Sequence, residues 1–207
     1  MSPTHTESLL RKHLPEISVD YCLDLWKRYP FVLQLKKSRT TRVGDFCMRQ
    51  GSAPIITLNQ DLSPFLFLVT YIHEFSHHAV WMVYGRKPLP HGKEWKLAFK
   101  TFMEPIMGMN IFPPDLQARL SHHLVNPKAS SFSDQKLTAL FRKYDQQWAE
   151  TLILQQIAEG QTFRIKSRVF RKGKKRRTRF ECVELRTGRL YLVPADLPIT
   201  EFPPPES

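Results

Sequence analysis

Apolar residues along the first three quarters of the chain recur mostly at helical spacing. Thr4 or Thr6 can cap a first helix over residues 7–13, which Pro15 stops. Tyr21, Cys22, Leu25, Trp26 and Tyr29 repeat every three or four residues, predicting a second helix over 19–29 with that face in the core. The period then changes to two. Phe31, Leu33 and Leu35 alternate with Val32, Gln34 and Lys36, a second strand covers 43–49, and Ile55, Ile56 and Leu58 form a third. With turns at 38–41 and 51–54, these strands read as a small antiparallel meander.

The most apolar stretch follows. Ser63 caps and Pro64 opens a helix over 64–83, and Gly85 ends it. A loop with two prolines spans 86–90. Helices are expected over 92–107, 114–125 and 134–158, the last interruptible at 144–147, with 126–133 as a linker. Met103, Met107 and Met109 read as core filler. Beyond Gly160 the period returns to two. Strands are expected over 162–170, 177–185 and 189–193, with turns at 172–175 around Gly173 and at Thr187–Gly188. The expected organisation is α+β. A helical domain with a small antiparallel sheet spans 1–159, a small β module spans 160–200, and an extended Pro-rich tail spans 201–207.

Charge reinforces that division. The chain carries a formal net charge of +12, yet residues 160–189 alone hold 12 of the 31 Lys and Arg and 2 of the 19 Asp and Glu. Such a cluster predicts attraction to a polyanion, nucleic acid first. The candidate contacts are Arg164, Lys166 and Arg168, expected to alternate on one strand face, and Lys172, Lys174, Lys175, Arg176, Arg177 and Arg179 around the hairpin. The competing expectation is a solvated strand face on a small barrel. Phe170, Phe180 and Tyr191 suit base stacking, although core packing is the commoner fate of such rings. Cys22, Cys47 and Cys182 are odd in number and widely spaced, which predicts free thiols and neither a disulfide framework nor a zinc ribbon. The N-terminus lacks the apolar segment of a secretory signal, and the apolar stretch carries His73, Glu74, His77 and His78 in its middle. An intracellular, cytoplasmic protein that could associate with the nucleoid, and that has no membrane partner, is therefore expected.

Chemistry concentrates in that helix. His73-Glu74-Phe75-Ser76-His77 is an H-E-x-x-H sequence. Residues four apart share a helix face, so both imidazoles can meet one metal ion, with Glu74 beside them as general base. Catalytic zinc usually takes three protein ligands and keeps a position for water. The candidates for the third are His78, His91, His122 and His123. His78 lies about 100° around the helix from His77 and points away. His122 and His123 read as solvated helix-end residues. His91 follows the loop, where the chain can fold back, and is favoured.

These residues resemble the SprT-like zincin family, in which H-E-x-x-H is followed by a helix end and His-Gly-x-x-aromatic, here His91-Gly92-Lys93-Glu94-Trp95. Arg42-Val43-Gly44-Asp45-Phe46 and Ile56-Thr57-Leu58-Asn59 look like its strand region, and the resemblance extends over roughly residues 20–102. The family includes bacterial members and the eukaryotic proteases of DNA–protein crosslinks. The resemblance implies a zincin-like core and one Zn²⁺ held by His73, His77 and His91. It also implies catalysis by Glu74 and hydrolysis of peptide bonds in DNA-associated proteins. The alternative is a zincin-fold module that binds DNA or protein without cleaving. Many members carry a C-terminal four-cysteine ribbon; this chain has only Cys182 there, so a second zinc is not expected.

Overall fold

The computed structural model describes residues 3–39, 42–49, 51–128, 134–145, 152–195 and 197–201. The chain is mixed α and β and divides by packing into two compact units, 1–146 and 147–207. No helix among the described residues is long and apolar enough to cross a membrane.

The first unit is built around α3 (Pro64–Tyr84). Nearly every residue of its first three turns is buried, including Phe67, Leu68, Val69, Tyr71, Ile72 and Phe75. A helix apolar on all sides must be covered on all sides. The covering comes from α1 (Pro3–His13), α2 (Val19–Arg28), α4 (Lys93–Gly108), α5 (Pro114–Val125) and a three-stranded sheet. Pro64 opens α3 as expected, and Gly85 ends it at φ +64°, donating its N–H to Trp81 O at 2.8 Å. Met103 is fully buried and Met107 packs against the core from its edge.

The sheet differs from a meander. Its strands β1 (Val32–Lys36), β2 (Gly44–Cys47) and β3 (Ile55–Asn59) lie in the order β1-β3-β2, with β3 parallel to β1 and antiparallel to β2. The reason lies in composition. Ile55-Ile56-Thr57-Leu58-Asn59 is the most buried of the three and takes the centre, whereas Gly44-Asp45-Phe46-Cys47 is only half-buried and is left at an edge.

The last helix of this unit, α6 (Gln135–Lys143), is much shorter than the expected 134–158. Asp134 caps it, accepting from Leu137 N–H at 3.1 Å. Residues 129–133 of the expected linker, 146–151 of the expected helix and 202–207 of the expected tail lie outside the described residues. Leu154–Gln156 is a 3₁₀ turn, and Leu154 and Ile157 belong to the core of the second unit. The packing boundary thus precedes the compositional change near Gly160.

The second unit is a five-stranded antiparallel sheet in the order β7-β6-β5-β4-β8. Its strands are β4 (Thr162–Ile165), β5 (Arg168–Arg176), β6 (Arg179–Glu184), β7 (Leu190–Pro194) and β8 (Thr200–Glu201). The expected strand over 162–170 is in fact two strands joined at Lys166 and Ser167, and the expected turn at 172–175 is strand. The next turn is Arg177–Thr178. Both turns place a basic residue at positive φ, Lys166 at +54° and Arg177 at +31°, where glycine would have been the usual signal. Gly173 instead lies at a register shift within β5, where a Cβ would meet Glu181 O at 2.7 Å. It marks a bulge, not a turn. Phe163, Phe170, Phe180, Cys182 and Val193 fill the core.

Candidate metal centre

His73 and His77 project from one face of α3, one turn apart. His91 reaches them through a tight turn. Leu89 O accepts from Gly92 N–H at 2.9 Å, Pro90 holds the second position, and His91 holds the third at φ +58°. That is the pattern of a type II turn, whose third position ordinarily belongs to glycine or asparagine. Gly92 must lack a side chain, since a Cβ would stand 2.9 Å from Leu89 O. Its carbonyl then accepts from Lys96 N–H at 3.0 Å, launching α4.

The three imidazoles converge. His91 Nε2 lies 3.1 Å from His73 Nε2 and 2.9 Å from His77 Nε2. Zinc–nitrogen bonds of about 2.0–2.1 Å at tetrahedral angles require nitrogens about 3.3–3.4 Å apart, so a shift of a few tenths of an ångström admits the ion. Burial, then the neighbouring His91, pushes His77 down to about 3; burial also holds His73 and His91 below the ordinary histidine value. All three are therefore neutral at neutral pH, the form that ligates. Among the described residues no fourth His, Cys, Asp or Glu joins the cluster, so an ion held there would have three protein ligands.

Trp95 is the wall of this site, a role that the sequence reading did not assign to it. Its ring centroid lies 4.6 Å from those of His73 and His91 and 5.3 Å from that of His77, and its Nε1–H donates to His73 O at 3.3 Å. Phe99 stacks behind it at 5.0 Å. The signal was present: Trp95 begins the buried face that Phe99, Met103 and Ile106 continue along α4.

Glu74 turns toward β2. Its side chain is buried, and burial followed by the nearby Asp45 pushes its carboxyl up to about 8. Arg39, the Phe46 N–H and Arg42 act in the opposite direction. Arg39 is itself fixed, donating to Asn59 Oδ1 at 2.9 Å and Thr57 Oγ1 at 3.1 Å.

The other histidines lie elsewhere. His78 is buried among Phe31, Phe46 and Phe75. His122 is exposed as expected, but His123 is not solvated. It is buried with Nδ1 3.7 Å from Asp134 Oδ2, beside the two 2.6 Å hydrogen bonds from Arg119 to the same carboxylate. An ion pair bridging α5 and the start of α6 draws it inward. Tyr71, close to the motif in sequence, is buried and donates to Cys22 O at 2.9 Å, so it does not face the site. All three cysteines are free thiols, two of them buried.

Of the nine expected contacts in the second unit, only Lys172 is buried, while Arg168 and Arg176 are exposed but ion-paired. Arg164, Lys166, Lys174, Lys175, Arg177 and Arg179 are exposed. Lys166 sits in a turn, so it does not alternate with Arg164 and Arg168 along one strand. Arg168 pairs with Glu184 at 2.7 Å and lies over the Tyr191 ring, and Arg176 pairs with Glu181 at 2.8 Å. Lys172 is buried, donating to Ile157 O at 2.5 Å with Nζ 3.9 Å from the Phe180 ring centroid. An amine so placed cannot contact a phosphate. Phe170 and Phe180 are buried and Tyr191 half-buried, so these rings form core and not a stacking platform.

Comparisons with family models, with curated proteins and with solved structures gave no match to this chain.

Proposed function

We propose that this chain is a zinc metallopeptidase with a zincin-like core that hydrolyses peptide bonds, acting on proteins associated with DNA. The observation that carries the reading is the convergence of the three imidazoles, with Glu74 one residue along the chain from the first. His73, His77 and His91 would hold the ion, and Trp95 packs against all three rings. When bound, zinc supplies Lewis acidity that lowers the pKa of water and polarises a carbonyl. Burial sets the Glu74 carboxyl at about 8 in the metal-free chain, and a cation held by the histidines would favour its ionised form, in which Glu74 would take a proton from the attacking water and deliver it to the departing amine nitrogen. The exposed cations of the second unit support the DNA part of the proposal, through phosphate contacts that carry no sequence preference.

Cleavage of a DNA-bound protein by wild type and by Glu74→Gln, with and without DNA, tests this reading. The expected outcome is cleavage by wild type, stimulation by DNA, and a loss of about 10²–10⁴-fold in Glu74→Gln with zinc retained. Normal cleavage by Glu74→Gln would refute the mechanism. Zinc binding without cleavage by wild type would leave a binding module built on the same fold. Cleavage that DNA does not stimulate would remove DNA from the proposal.

A further inference from the structure

Strand β2 packs on helix α3 through Phe46, which lies against His78, and through Gly44, which lies against Glu74. A Cβ on Gly44 would stand 2.6 Å from Glu74 Oε1, 2.8 Å from Glu74 Cγ and 2.7 Å from Thr70 Cγ2. Thr70 and Glu74 share a face of α3, one turn apart, so Gly44 faces both. The Gly44 backbone does not have positive φ, so its conformation suits any residue; what the position lacks is space.

Neither wall of this slot yields easily. Thr70 Oγ1 donates to Leu66 O at 2.7 Å in a buried setting, so rotating its methyl away would orphan a buried hydroxyl. Strand β2 is held from its other side, with Gly44 and Phe46 in register with Leu58 and Ile56 of the central strand. Val43 O also accepts from Asn59 N–H at 2.8 Å. With helix and strand both fixed, the group that a side chain at position 44 would displace is the Glu74 carboxyl.

We infer that Gly44 is a positioning residue. Its missing side chain forms the slot that sets the Glu74 carboxyl relative to the three histidines. The catalytic consequence rests on the reading of Glu74 as the proton carrier, but the slot does not. A glycine within a strand commonly marks such a close approach.

The test uses the full chain as wild type, Gly44→Ala, Glu74→Ala and the double variant, with thermal unfolding followed in the metal-free state. Gly44→Ala lowers the Tm when Glu74 is present. In the Glu74→Ala background the loss is smaller, because two of the three close atoms are gone. Equal losses in both backgrounds would overturn the proposal. If Gly44→Ala alone does not fold, recovery of folding in the double variant supports the slot and its absence refutes it.

The zinc-loaded Gly44→Ala variant then keeps its ion, loses roughly tenfold or more in kcat, and changes KM by less than about twofold. Adding Thr70→Ser, which removes the crowding methyl, restores part of kcat. An unchanged kcat with zinc retained would show that the slot does not position the carboxyl for chemistry. Should wild type cleave nothing, the peptidase reading fails, while the unfolding measurements still decide the role of Gly44.

Discussion

The histidine cluster of the first unit and the basic hairpin of the second place ionisable groups in opposite surroundings. His73 and His77 sit in a helix covered on most sides, are held neutral by burial, and are packed in position by Trp95. Lys174, Lys175, Arg177 and Arg179 are exposed near the tip of the β5–β6 hairpin. Burial makes a polar group accept a partner, so residue identity there becomes geometry. Exposure imposes no such demand, and a cation on a strand is as comfortable beside a carboxylate as beside bulk water.

The sharpest way to separate the two regions is to remove one ligand. His91→Ala is expected to weaken zinc binding by roughly 100-fold or more, since even outer-sphere partners of ligands are worth 10–100-fold. Zinc titration followed by hydrogen exchange checks this: zinc should protect the wild-type first unit and leave exchange in the second unit unchanged. Zinc-dependent protection of the second unit would break the comparison.

A smaller effect distinguishes exposed from buried cations. Neutralising Lys174, Lys175, Arg177 and Arg179 together should reduce the slope of log affinity for duplex DNA against log salt by about 3–4, at about 0.9 per lost phosphate contact. Lys172→Met should leave that slope unchanged, because Nζ is enclosed by Ile157 O and the Phe180 ring. Equal slopes for wild type and the fourfold variant would remove these four residues from the interface.

The smallest effect is in acid. Burial holds His123 below its ordinary 6.5, as it does His73, His77 and His91 in the metal-free chain, so the unfolded forms bind protons first and the first unit loses stability as pH falls below about 6.5. In the second unit Arg168, with Thr187, holds the Glu184 carboxyl down at about 2 against an ordinary 4.5. That contribution is complete above about 4.5 and fades as pH falls toward about 2. Hydrogen exchange measured unit by unit across this range should show the first unit softening at higher pH than the second. Glu184→Gln should flatten the lower window only.

These contrasts explain what could be read from the residues. The helix carrying His73 and His77 was legible because its apolar pattern was continuous and its ends were marked by Pro64 and Gly85. His91 was legible because the chain had to turn back after Gly85. The strand order was not, since hydrogen-bonding partners depend on which strand is most buried, and β3 outcompeted β2 for the centre. The turns of the second unit were misplaced because Lys166 and Arg177 adopt positive φ without glycine, while Gly173 serves a bulge. His123 was misjudged because its partner Asp134 lies on the far side of a connection whose path the sequence does not reveal. Gly44 was visible only as part of a strand motif; its closeness to Glu74 is a property of packing.

The left-handed backbone of His91 has a consequence for how this protein can change. A residue other than glycine at φ +58° costs on the order of 1 kcal/mol or more. That expense is met during folding, so His91 is aimed at the other two imidazoles without an ion, and binding one there would require little further ordering. Glycine would relax the turn and abolish the ligand. Selection for stability alone would therefore erode position 91, and only a requirement for the ion would keep histidine there.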